Sequence, residues 1–141
     1  MADPADSNPA VTSSPPPAHP PVGNPYLAAF LAWLIPGLGH VYVKRRRRGV
    51  AFFLLIVAAI GIGCALLGNL YRPVANQPLS LLATLGAMGM GLPYFILRYA
   101  GYTGDIVAPG YEYGTAFLLT AGLMNLLLVL DAWDIARGKK D

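Results

Sequence analysis

The chain has 141 residues, 55% of them hydrophobic and only 12% charged, with a mean hydropathy of +0.51. Soluble domains carry about a quarter charged residues, so a water-facing surface could not be covered, and an all-α membrane protein is expected. The net charge of +3 hides one dense block, because five of the ten Lys and Arg stand together at Lys44, Arg45, Arg46, Arg47 and Arg48. A nucleic-acid binder spreads its cations over a face. A block set between apolar runs speaks against a nucleic-acid partner and suits a membrane edge.

Residues 1–24 hold seven of the thirteen prolines, including Pro15-Pro16-Pro17 and Pro20-Pro21. Proline lacks the amide donor that a helix needs, and the stretch has little apolar mass to bury. A disordered tail with polyproline character is expected. No basic start and no apolar core precede Tyr26, so the stretch does not read as a signal peptide. A PxxP-type ligand is the functional alternative, without the flanking cation that would place it. His19 has no second ligand nearby and reads as solvated.

The first apolar run spans 26–43, opened by Asn24 as N-cap and Pro25 at the first helical position. Its length rises about 27 Å as a helix, close to the roughly 30 Å of hydrocarbon. Pro36, Gly37 and Gly39 break its second half, so a re-entrant or half-crossing segment is the alternative to a full crossing. The basic block follows, and Gly49 is expected to let the chain turn. The second run, 49–68, has no charge and carries small residues four apart: Ala59 and Gly63, Gly61 and Ala65, Cys64 and Gly68. Such spacing lets helix backbones approach in lipid.

Residues 69–78 read as a loop. The third run, 79–97, carries a small-residue stripe at Ala83, Ala87 and Gly91, and Pro93 is expected to bend its far end. Residues 98–114 form a loop whose four tyrosines suit the membrane–water boundary. The fourth run, 115–136, ends at Gly138 with Arg137, Lys139 and Lys140 at the negative end of the helix dipole. No internal repeat is visible beyond the helical hairpin pattern. The predicted organisation is a tail over 1–24 and a domain over 25–140 with about four transmembrane helices.

Two rules disagree about topology. The positive-inside rule places the basic turn 44–48 in the cytoplasm. If all four runs cross, Arg72 and the three C-terminal cations lie outside, with Arg98 and the block inside. If 79–97 fails to cross, only Arg72 and Arg98 lie outside. Apolar length favours four crossings, because an uncharged run left outside lipid strands apolar surface, and four is the expectation.

Three polar residues are candidates for function. His40 is the only ionisable side chain in the first run. Its functional reading is a proton or ligand contact; the favoured bland reading is an imidazole bonded to a carbonyl freed beside Pro36. Asn125 follows Ala121 and Gly122 on one helix face and suits hydrogen bonding between helices. Asp131 is deep enough to need an ion pair or a proton, unless it reaches the interface beside Trp133. Lys44, Arg45, Arg46, Arg47 and Arg48 are expected to meet anionic lipid heads. Enzyme chemistry is not expected: there is no Gly-rich phosphate loop, HExxH or CxxC, and Ser80 has no basic partner nearby. The single cysteine, Cys64, rules out an internal disulfide or a Cys-based metal site, and no metal or cofactor is implied.

The stretch LAWLIPGLGHVYVKRRRRGVAFF resembles small bacterial membrane proteins with a Pro-Gly-x-Gly-His/Gln helix end, a following Tyr and an Arg/Lys-Gly turn. It is also distantly similar to the transmembrane-two domain, a two-helix hairpin. Further on, GLPYF and YEYGTAFLLTAGLMNLLLVLDAWDIARG look like the later motifs of one uncharacterised bacterial family, a domain of unknown function. The resemblance covers residues 24–140. It implies an integral protein of the bacterial inner membrane and carries over no catalytic residue. A non-enzymatic protein that packs with itself or another membrane protein is the expected role. The alternative is a small transporter or channel component that uses His40, Asn125 and Asp131.

Overall fold

The computed structural model describes residues 20–139, and every regular element among them is helical. The expected disordered tail, with His19 and the proline tract before it, lies outside the described residues up to residue 19. The final residues 20–24 of that stretch run against the helical body, where the Val22 N–H donates to the Ala136 carbonyl at 3.3 Å.

Six helices follow: α1 (Pro25–Leu34), α2 (Leu38–Tyr42), α3 (Arg46–Ala65), α4 (Pro78–Met88), α5 (Leu92–Tyr99) and α6 (Tyr111–Ala136). The Asn24 carboxamide oxygen accepts from the Tyr26 N–H at 3.0 Å, and Pro25 stands in the first turn of α1. Pro36 cannot continue that helix, since it lacks a donor and its ring crowds the preceding turn. Gly37 then takes a left-handed φ of +81°. The chain doubles back: Gly39 of α2 lies so close to α1 that a Cβ there would press on the Ala28 carbonyl and the Ala32 methyl. Run 26–43 is therefore a short helical hairpin, not one continuous helix. Its first arm is about 15 Å long, half of a bilayer core.

α6 is the axis on which the other helices pack. α1 runs antiparallel to it, with Tyr26 stacked edge-on against Trp133 at 4.7 Å and Trp33 reaching Asn125. α3 is also antiparallel to α6. Gly63 faces Leu118 and Gly114, and Gly68 comes against the Gly114 backbone. The turn before α3 is made by Lys44, with φ of 64°, and not by Gly49. Gly49 is helical and serves close packing instead, against the Gly37 carbonyl and Val41. Arg46, Arg47 and Arg48 thus occupy the first turn of α3.

α4 and α5 are bent by 111° relative to one another. The bend lies at Gly89–Gly91 and not at Pro93, which occupies the first turn of α5 where a missing N–H costs nothing. Both ends of this pair return to the C-terminal end of α3. The Ser80 hydroxyl donates to the Arg72 carbonyl at 2.8 Å, and the Arg72 guanidinium donates to the Tyr102 carbonyl at 3.1 Å. Tyr94 donates to the Tyr71 carbonyl at 3.1 Å, and Tyr102 to the Gly68 carbonyl at 2.9 Å.

The molecule accordingly has two ends. Lys44, Arg45, Arg46, Arg47, Arg48, Arg137 and Lys139 gather at one, together with residues 20–24. Arg72 and Arg98 lie at the other. α3 and α6 are long and apolar enough to cross a membrane, which makes two candidate spans, or three if the bent α4–α5 pair counts as one. Ile56, Leu70, Met90, Tyr94 and Ala121 form the core between the ends, and Ala28, Val43, Ile135 and Ala136 form a second cluster at the basic end.

Candidate functional site

The fold collects the polar residues of the interior into two centres on α6. The first is made by the return arm of the first hairpin. Gly39 lets α2 lie against both α1 and Ala132, and the next residue, His40, lands on Asp131. The imidazole Nε2 and the carboxylate Oδ2 are 3.0 Å apart. His40 is fully buried, whereas the Asp131 side chain keeps 29% exposure. The Phe52 ring of α3 lies edge-on to the imidazole at 5.1 Å. Against an ionised carboxylate Nε2–H donates, which leaves Nδ1 as an acceptor on a neutral ring or a donor on a charged one. Nδ1 has no hydrogen-bond partner. The expected bond from His40 to a backbone carbonyl is absent among the described residues, and Asp131 turns to His40 while Trp133 takes Tyr26.

The second centre lies six residues earlier on α6. Asn125 Nδ2 donates to the Trp33 carbonyl at 3.3 Å and to the Gly89 carbonyl at 2.9 Å. One amide thereby joins the end of α1 to the break between α4 and α5. The Trp33 indole ties the same two elements again, donating to the Met88 carbonyl at 3.2 Å. Gly91, with φ of +71°, lies so close to the Trp33 carbonyl that no side chain could stand there. Gly122, one turn before Asn125, likewise admits the Gly86 carbonyl. Asn125 is fully buried, and its Oδ1 has no partner.

The sequence reading singled out His40, Asn125 and Asp131 but did not join His40 to Asp131. Trp33 was passed over, because an indole looks like an ordinary packing residue, and Gly89 was read only as loosening its helix. A usable signal existed: two glycine-flanked breaks in apolar runs, and a third run carrying an amide able to satisfy both.

The basic block is split by the fold. Lys44 and Arg45 lie before α3 and Arg46, Arg47 and Arg48 within it, with no acidic residue in that first turn. Among the described residues no three His, Cys, Asp or Glu side chains gather as a metal would require. A groove of about 1030 Å³ between α4 and α6 is lined by Leu82, Leu85, Leu119 and Leu123, with Arg72 at its mouth, and includes neither polar centre.

No curated protein and no solved structure matches the chain. The model of a family of unknown function, DUF6677, matches residues 27–141, and the chain belongs to that family.

Proposed function

We propose that this protein is a small, non-enzymatic integral membrane protein that passes or binds a small ion. In this reading α3 and α6 cross the bilayer, and the hairpins α1–α2 and α4–α5 enter from opposite faces and meet at Asn125. Two crossings with two re-entrant hairpins replace the four crossings that apolar length alone suggests.

The observation that carries the reading is the meeting of two interrupted helices over one buried amide, near a half-buried His40–Asp131 pair. Interrupted backbone in hydrocarbon is costly and is tolerated where it is enclosed in protein or lines a cavity. Transporters place ion sites where discontinuous helices end near mid-membrane. A histidine bonded to an aspartate can accept and hand on a proton, and intramembrane acids mark such routes.

Orientation follows from charge. The cation-rich end, including the turn 44–48, faces the cytoplasm of a bacterial inner membrane by the positive-inside rule. Three arginines on the first turn of α3 oppose the positive end of its dipole. Anionic lipid heads suit such a cluster of cations at the membrane edge. The small-residue stripes that motivated a packing role are largely used within the chain, Gly63 and Gly68 against α6 and Gly86 against Gly122, whereas Gly61 faces open space. Two crossings are too few to enclose a path, so a second copy or another membrane protein is expected to complete it.

Proteoliposomes containing the purified protein test the reading under imposed proton and alkali-cation gradients. The wild type is expected to dissipate a gradient, and Asp131→Asn to fall toward the rate of empty liposomes. Wild-type protein that dissipates no gradient overturns the reading that it passes an ion.

A further inference from the structure

α1 and α4 approach the junction from opposite ends of the molecule, and both stop there with their carbonyl ends facing Asn125. Each helix C-terminus carries roughly half a negative charge, spread over its last carbonyls. Two such ends thus converge in the interior. The groups that bond to their carbonyls, the Asn125 amide and the Trp33 indole, are both neutral. Asn125 adds a third oxygen, Oδ1, which is fully buried and has no donor. Two carbonyl oxygens, a buried amide whose own Oδ1 lacks a donor, and two helix-end dipoles of the same sign make a place that favours positive charge.

We infer that the junction of the two hairpins is a binding site for an alkali-metal cation, taken by the Trp33 carbonyl, the Gly89 carbonyl and Asn125 Oδ1. The inference rests on the reading of both hairpins as re-entrant in the membrane. The ligand class follows from the donor set. All three oxygens are neutral, and none is a carboxylate of the kind that holds calcium or magnesium, so a monovalent ion fits and a divalent one does not.

The amide supplies the switch. Its two ends are similar in shape, and the one that faces the carbonyls is chosen by what lies there. In the structure Nδ2 donates to both carbonyls, its hydrogens supplying the positive charge that a cation would. Half a turn of the terminal amide brings Oδ1 to the same place, where three oxygens repel one another unless a cation sits among them. Gly91 keeps the Trp33 carbonyl uncovered, since any side chain at that position would displace it.

Thermal unfolding of the full-length protein in detergent tests the site, in sodium, potassium and choline chloride at equal ionic strength. A ligand that binds the folded state raises its unfolding temperature with concentration. Sodium or potassium is expected to give a saturable upward shift over choline in the wild type. Asn125→Asp, which keeps an oxygen and adds charge, is expected to reach that shift at lower salt. Asn125→Ala is expected to lose it. If the alanine variant does not fold, the aspartate variant decides alone. Equal unfolding temperatures in the three salts overturn the site, as does an alanine variant that shifts like the wild type or an aspartate variant with unchanged salt dependence. Cation-dependent stabilisation without flux upholds the site and removes the transport reading. Flux without such stabilisation does the reverse.

Discussion

Asp131 and His40 have unequal burial, and the difference sets what each substitution does. His40 is wholly enclosed, so loss of its partner leaves an imidazole with neither nitrogen bonded. A buried polar group left unsatisfied costs about 1–3 kcal/mol. Asp131→Leu is expected to lower stability by that amount in detergent unfolding. Asp131→Asn keeps an acceptor and is expected to cost less. Equal stability of wild type and the leucine variant would mean that the pair does not form.

Tyr102, in the loop after α5, holds its proton unusually tightly. Burial, and next the charge of the neighbouring Cys64, push its phenol from the usual 10.0 up to about 12. The folded state therefore holds the proton more tightly than the unfolded chain. The resulting stabilisation is complete below pH 10 and is lost as pH rises from 10 to about 12. Tyr102→Phe is expected to lose about 1 kcal/mol at neutral pH, by forfeiting the bond to the Gly68 carbonyl. It is also expected to flatten the alkaline limb of a stability–pH curve. An unchanged limb would rule out Tyr102 as its source.

At the scale of elements, the two breaks depend on glycine in a way the outward face of α3 does not. Gly91 combines a left-handed φ with a carbonyl where its Cβ would stand, and Gly61 faces open space. Left-handed strain alone costs about 1–3 kcal/mol, so Gly91→Ala is expected to destabilise by at least that much. Gly61→Ala is expected to stay within about 1 kcal/mol of wild type, since alanine favours helix. Unfolding of the two variants side by side separates the cases, and equal losses would contradict the packing at the junction.

Some of this was legible from local chemistry. Asn24-Pro25 marks the start of α1 because a side-chain oxygen and a missing donor both suit a helix's first turn. Pro36 marks its end. The bend at Gly89–Gly91 was legible only as a loosening of the helix at Gly86 and Gly89, because flexible residues permit a bend without requiring one, and the bend itself was assigned to Pro93. Gly49 was read as the turn, but the left-handed residue is Lys44. A glycine next to a charge block looks like a hinge until the helix that needs its missing side chain is in view.

For the whole molecule, the main expectation concerns sides. Val22, the basic turn and the C-terminal helix end share one end of the structure, and the loops at 69–77 and 100–110 share the other. In a Cys64→Ser background, cysteines placed at Val74 and at Lys139 are expected to react with impermeant thiol reagents from opposite faces of the membrane. Labelling of both from one face would overturn the arrangement of two crossings and two hairpins. Four uninterrupted crossings would also put these positions on one face, so the experiment separates the two topologies directly.

Composition alone pointed to helices apolar enough to cross a membrane, because too few charged residues remain to cover a soluble surface. Hydropathy likewise determined α3 and α6, and proline chemistry the first break. These are local properties, carried by residues close together in the chain. Whether an apolar run forms one continuous helix or doubles back on itself was decided only by the tertiary structure. So were the pairing of His40 with Asp131, 91 positions away, and the bonds of Asn125 to Trp33 and Gly89, 92 and 36 positions away. Length measures how far a helix could reach, while the direction it takes depends on what its end can bond to. In this chain that is an amide and a carboxylate on α6, and their partners are defined only once the hairpins have folded against it.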